Sequence, residues 1–139
     1  MDYDPRYLAG VLLFNEQAFF EAHEVWEDLW ADSHGDERRF VQGLIQAAVG
    51  LCHFGNGNLG GARKLYSSSR AYMEPCGSPF LGLDQVSFWR QMEACFLPLL
   101  GDTAPDRGLR PDPALLPVIA LDPAPESWPD PDDYLHEEE

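Results

Sequence analysis

The spacing of apolar residues predicts five helices before residue 101. In each of five segments the apolar positions recur every three or four residues, which is the period of an amphipathic helix. Asp4, Asn58 and Asp84 stand where N-cap residues are expected. The predicted helices run from Pro5 to about Asn15, from Gln17 to Asp32, from Glu37 to about Gly57, from Asn58 to about Glu74, and from Asp84 to just before Gly101. The predicted fold class is therefore all-α, a compact bundle of about five helices.

The third predicted helix is apolar around nearly its whole circumference, which is typical of the central helix of a bundle. Gly43, Gly50 and Gly57 recur along one side of it at intervals of seven residues. Glycine weakens a helix by up to ~1 kcal/mol relative to alanine. We therefore expect a neighbouring helix to approach closely along this side.

The character of the chain changes after residue 101. Eight of the 12 prolines and 11 of the 24 acidic residues fall in residues 101–139. This composition predicts a helical bundle domain over residues 1–101 and an irregular, proline-rich, acidic tail over residues 102–139. Within the tail, the apolar segment Leu115–Leu121 is expected to dock along the bundle as an extended strap, and Trp128–Glu139 is expected to be solvated or disordered.

The charge and hydropathy of the chain limit which binding partners and which cellular compartment are expected. The formal net charge of -15 argues against nucleic acid, because affinity for phosphates comes largely from Lys and Arg. The arginines do not cluster into a basic face, so anionic membranes are also poor partners. The longest apolar run, Tyr7–Phe14, is too short to span a bilayer, and no secretory leader is recognisable. The expected compartment is the cytoplasm, with the three cysteines reduced.

A set of polar side chains on the second and third predicted helices carries the candidate chemistry. Gln42, Gln46 and His53 share a narrow sector of the third helix, and His23 and Glu27 lie one turn apart at the edge of the apolar arc of the second. Buried polar groups left unpaired cost roughly 1 to 3 kcal/mol. We therefore expect these residues, together with Glu21, to form a cluster between the two helices: Glu21, His23, Glu27, Gln42, Gln46 and His53.

Three functional hypotheses follow from this cluster and from the tail. In the first, the domain is noncatalytic and the cluster is structural, fixing which helices pair. In the second, the protein is a metal-dependent hydrolase, with His23, Glu27 and His53 as ligands of a divalent transition metal and Glu24 as general base. In the third, it is a protein-interaction module whose strap or acidic tail reaches a basic partner. A homo-oligomer is compatible with each of them.

The segment Phe14-Asn15-x-x-x-Phe19-Phe20-Glu21-Ala22-His23-Glu24-Val25-Trp26-Glu27, followed by Gln42-Gly43-Leu44-Ile45-Gln46, resembles a known family. It is similar to the domain-of-unknown-function 309 family of small bacterial and archaeal helical proteins. The resemblance implies an all-helical bundle and no assigned activity. It also implies that the family's characteristic polar positions are Glu21, His23, Glu24, Glu27, Gln46, His53 and Asn58. The acidic tail departs from the family pattern.

Overall fold

The computed structural model describes residues 2–136 and confirms the all-helical fold class. Within that range there are isolated β-bridges but no strand of a sheet. The α-helices are α1 (Pro5–Asn15), α2 (Phe19–Asp32), α3 (Gly35–Gly55), α4 (Leu59–Met73) and α5 (Gln85–Phe96). None of them is both long enough and apolar enough to cross a membrane.

Helix α3 lies at the centre of the bundle. It packs against α2 and α4, and α1 packs against α2. Only two or three residues separate α2 from α3 and α3 from α4, and such short connections produce antiparallel neighbours. Ten residues of α3 are buried, as expected for a helix that is apolar nearly all round.

The helix ends follow local backbone chemistry. The side chains of Asp4, Asn58 and Asp84 accept hydrogen bonds from backbone N–H groups in the first turns of α1, α4 and α5. Helix α2 begins at Phe19 rather than at Gln17, because Gln17 has a φ of 68° and lies in the left-handed region. Helix α3 begins and ends two residues before the predicted bounds, at Gly35 and Gly55.

Two of the three spaced glycines lie at a close contact between α3 and α4. A Cβ atom at Gly43 would be 2.2 Å from Met73 Cγ and 2.9 Å from the Ser69 carbonyl oxygen. A Cβ atom at Gly50 would be 3.3 Å from Leu65 Cβ. Gly57 lies beyond the end of α3, where its φ of +81° suits the turn into α4.

The segment after α5 is held to the bundle by two side-chain amides. Asn15 Nδ2 donates to the Ile119 carbonyl oxygen at 2.9 Å, and Asn15 Oδ1 accepts from Ile119 N at 2.7 Å. Gln91 makes the same two-way pairing with Val118, at 3.2 and 3.0 Å. Each side-chain amide thus both donates to and accepts from the backbone of one strap residue, as a residue of a neighbouring strand would. The side chain of Ile119 is buried against the bundle.

Contacts continue beyond the strap, in the part expected to be solvated. Pro131–Tyr134 forms a 3-10 helix that packs against α1, and Tyr134 and Leu135 contact the core. His136 Nε2 lies 3.0 Å from Asp28 Oδ2. Residues 128–136 are therefore partly docked, while residues 137–139 of this predicted segment lie outside the described residues.

Candidate functional site

The predicted chemistry lies on one outer strip of the α2–α3 hairpin. We call this strip the α2–α3 face. Helical spacing places its residues along one edge of α2 and one edge of α3. The two edges meet at Trp30 and Arg38, where the guanidinium carbon is 3.8 Å from the centre of the indole ring. The face consists of Phe20, His23, Glu27 and Trp30 from α2, and of Arg38, Gln42, Gln46, Val49 and His53 from α3.

The polar residues of this face are half-buried rather than enclosed in the core. Gln42, Gln46 and His53 are all partly exposed. The side chain of His23 is 14% exposed and that of Glu27 is 57% exposed. The physical reason is that α2 and α4 cover two sides of α3, and this strip occupies the third side. The face is therefore a shallow surface and not a sealed polar interior.

His23 makes its polar contacts within α2. Its Nδ1 atom is hydrogen-bonded to the Phe20 carbonyl oxygen, and its ring centre lies 4.8 Å from that of Phe20. Its Nε2 atom is 3.6 Å from Glu27 Oε1, one helical turn further on. The predicted pairing of His23 with Glu27 is present, at a distance too long for a strong hydrogen bond.

Gln46 carries a buried acceptor without a partner. Its Oε1 atom is inaccessible and makes no hydrogen bond to protein atoms in residues 2–136. Most buried polar atoms in folded proteins are paired, so such an atom calls for an explanation. The predicted cross-helix hydrogen bond from α2 to Gln46 is not formed.

His53 lies at the other end of α3, in the turn to α4. Its Nδ1 atom is 3.3 Å from Asn58 Nδ2, and its carbonyl oxygen accepts from Asn58 N at 2.8 Å. Asn58 Oδ1 in turn caps α4 by accepting from Gly61 N. The contacts of His53 therefore link it to the α3–α4 turn rather than to His23.

The residues proposed as metal ligands divide accordingly into a pair and a single residue. In the described part of the chain, no three His, Cys, Asp or Glu side chains are grouped so as to hold a metal. His23 and Glu27 are together, and His53 is not grouped with them. Glu21 and Glu24 are half-buried on α2. At about 100° per residue, Glu21 lies nearly opposite His23, whereas Glu24 lies about 100° from it around the helix.

Two features of the face were not predicted as part of it. Phe20 is 52% exposed, although its sequence neighbour Phe19 is buried. The Arg38 guanidinium stacks on the Trp30 ring next to the α2–α3 turn. The signal for Phe20 was its helical spacing with His23 and Glu27, at three and seven residues, which places a large apolar side chain on the polar edge.

A cavity of about 540 Å³ lies apart from this face, between α1 and the first half of α3. Its lining includes Tyr7, Val41 and the three acidic residues Asp2, Asp4 and Glu37. The hydroxyl of Tyr7 donates to the Leu81 carbonyl oxygen at 2.9 Å, and burial raises the pKa of this hydroxyl. The Tyr7 hydroxyl in its wall is thus already hydrogen-bonded and neutral.

Comparison with known families bears on the same region. Residues 7–65 match the family model described as a domain of unknown function, DUF309. This match confirms the resemblance drawn from the sequence. The DUF309 match covers α1 from Tyr7 onward, α2, α3 and the beginning of α4, and so it includes every residue of the α2–α3 face. No curated protein matches the chain.

Proposed function

We propose that this chain is a noncatalytic helical domain that binds another protein through the α2–α3 face. The observation that carries the proposal is the exposure of Phe20, at 52%, on the same strip as the partly exposed Trp30 and Val49. Contiguous exposed apolar surface is characteristic of binding sites, and aromatic residues are enriched at protein interfaces. The side-chain amides of Gln42 and Gln46 supply polar contacts between these apolar groups.

The charge of the face supports a neutral rather than a basic partner. The face carries one acidic residue, Glu27, and one arginine, Arg38, whereas the whole chain has a net charge of -15. A basic partner would be attracted mainly to the rest of the surface and to the acidic tail. Binding through the tail thus predicts a basic partner, whereas binding through the α2–α3 face predicts a neutral one. Mutations in the face or in the tail can separate these two hypotheses.

The metal-dependent hydrolase remains the alternative hypothesis. It needs His53 to join His23 and Glu27, and the hydrogen bond from Asn58 to His53 does not favour this. It also needs a general base beside the metal, and helical spacing places Glu24 about 100° from His23 around α2. The supporting observations therefore favour binding over catalysis.

Site-specific cross-linking tests the proposed binding. A photoreactive phenylalanine analogue is placed at Phe20 and, as a matched control, at Val86, which is 62% exposed on α5. We expect cross-links to one protein from position 20 and not from position 86. The purified partner should then bind Phe20→Glu at least about tenfold more weakly than wild type, because a buried aromatic anchor typically contributes 2 kcal/mol or more.

The control variant Val86→Glu should bind this partner like wild type. Equal cross-linking from the two positions, or equal affinity of Phe20→Glu and wild type, would show that the α2–α3 face is not the binding surface. Binding that is lost only on removal of residues 102–139 would support the tail instead.

A further inference from the structure

The cavity between α1 and the first half of α3, which we call the α1–α3 cavity, brings apolar walls and acidic groups together. Its volume of about 540 Å³ is within the range of about 300 to 1,000 Å³ that is usual for small-molecule sites. Asp2, Asp4 and Glu37 belong to its lining. The same lining includes three buried, largely apolar side chains, one each from α1, α2 and α3: Tyr7, Leu29 and Val41.

The hydroxyl groups of the lining have no proton left to donate to a ligand. Tyr3 Oη donates to the Pro123 carbonyl oxygen at 2.6 Å, and Ser33 Oγ donates to the Leu29 carbonyl oxygen at 2.6 Å. The hydroxyl of Tyr7 is likewise bound to a backbone carbonyl oxygen. Each hydroxyl carries a single proton, and the other polar side chains of the lining are carboxylates, which only accept when ionised. A ligand that suits these side chains must therefore donate hydrogen bonds to them.

Two of the three carboxylates are available for a positively charged ligand. Asp4 is already engaged, because its Oδ1 accepts from Arg6 Nε at 3.1 Å and its Oδ2 accepts from Arg6 Nη2 at 3.0 Å. Within residues 2–136, no Lys, Arg or His side chain forms an ion pair with Asp2 or Glu37. Over the same range, these acids do not form a group that could hold a metal ion. The charge of the cavity therefore suits an organic cation.

We propose that the α1–α3 cavity binds a small primary ammonium compound with an apolar body. An ammonium group has three donors and no acceptor, which matches a lining whose side chains can only accept. Asp2 and Glu37 supply the negative charge that balances it. The apolar body packs against Tyr7, Leu29 and Val41, away from water. This site shares no residue with the α2–α3 face, so it does not depend on the partner proposed for that face.

Titration of the ¹⁵N-labelled full chain with 2-phenylethylammonium, followed by amide chemical shifts, tests this site. The solution contains about 0.15 M salt, which screens the general attraction of a chain with a net charge of -15. We expect saturable binding of one molecule per chain, with the largest shifts in the residues that line the cavity. 2-Phenylethanol has nearly the same shape without the charge, and methylammonium has the charge without the apolar body. Each should bind at least about tenfold more weakly than 2-phenylethylammonium.

Two substitutions test whether the carboxylates of the cavity recognise the ammonium group. Glu37→Gln should weaken binding at least about threefold, and the double variant Asp2→Asn/Glu37→Gln at least about tenfold, because a partly exposed ion pair contributes a few-fold in affinity. Asp2 and Glu37 are exposed, so these variants should fold normally, as circular dichroism can verify. The control, Glu16→Gln, removes the same charge from an exposed position after the other end of α1 and should bind like wild type.

Three results would each overturn the proposal. An absence of saturable binding would mean that the cavity takes no amine of this kind. Equal affinity for 2-phenylethanol and 2-phenylethylammonium would mean that the cavity recognises apolar molecules without regard to charge. Equal weakening in Glu16→Gln and Glu37→Gln would mean that the acidic surface as a whole, rather than the α1–α3 cavity, attracts the cation.

Discussion

Substitution of Gly10 tests the packing of α1 against α2. A Cβ atom at Gly10 would lie 1.9 Å from Trp26 Nε1 and 2.3 Å from two further atoms of the indole ring. Trp26 is fully buried, and its N–H donates to the Tyr7 carbonyl oxygen at 3.2 Å. The ring also packs against Phe14, with ring centres 5.9 Å apart, so it has little room to move away. Gly10→Ala must therefore displace the indole or separate the two helices.

The expected loss of stability in Gly10→Ala is the sum of two costs minus one gain. Overpacking a core costs about 1 to 3 kcal/mol. Pulling the Trp26 N–H from its acceptor leaves a buried donor unpaired, which costs about 1 to 3 kcal/mol. Alanine in place of glycine in a helix recovers up to ~1 kcal/mol. We expect Gly10→Ala to lower the free energy of unfolding by about 2 to 4 kcal/mol, and Tm by roughly 6 to 15 °C.

Thermal and urea unfolding, followed by circular dichroism, measure this change. The matched control is Gly60→Ala in α4, where a Cβ atom meets nothing within 4 Å. This control should be as stable as wild type or more stable by up to ~1 kcal/mol. If Gly10→Ala and Gly60→Ala unfold at the same temperature, the close contact between α1 and α2 does not limit stability and the reasoning is wrong.

Three further predictions use the same unfolding and labelling assays. Gly43→Ala should lower the free energy of unfolding by about 1 to 2 kcal/mol, because the flexible Met73 can yield but the Ser69 carbonyl cannot. Burial raises the pKa of Asp4, but the hydrogen bonds with Arg6 outweigh burial and hold this pKa below its usual range. In an acid titration, wild type should therefore lose stability below about pH 4 more steeply than Asp4→Asn does. Burial raises the pKa of Cys95 to about 11, so a thiol reagent at pH 8 should modify Cys95 only as fast as the protein unfolds.

The helices could be predicted from sequence because each is defined by local features. Apolar spacing and the cap residues Asp4, Asn58 and Asp84 are read within a few neighbouring positions, and the structure has a helix in each predicted place. The start of α2 was wrong because a left-handed Gln17 carries no signal of its own. The importance of Gly10 was likewise invisible, because it depends on a tryptophan 16 residues away on another helix.

For the candidate site, the sequence predicts which side of each helix carries the polar residues, but not how the two helices are aligned. Helical spacing puts His23 one turn from Glu27, and His23 Nε2 lies 3.6 Å from Glu27 Oε1. It could not give the position of α2 along α3, which determines which α3 side chains lie beside that pair. The stacking of Arg38 on Trp30 joins the two helices next to their turn, and neither residue was singled out for that role. The strap shows the same dependence, since Asn15 pairs with a residue 104 positions away.

The α2–α3 face and the acidic tail are separate candidate binding surfaces, and so each hypothesis can fail alone. Binding through the face depends on the exposed ring of Phe20, whereas binding through the tail depends on residues 102–139. Phe20→Glu should therefore weaken partner binding at least about tenfold while the tail is intact. Full affinity in Phe20→Glu, together with loss of binding on removal of residues 102–139, would assign the partner to the tail instead.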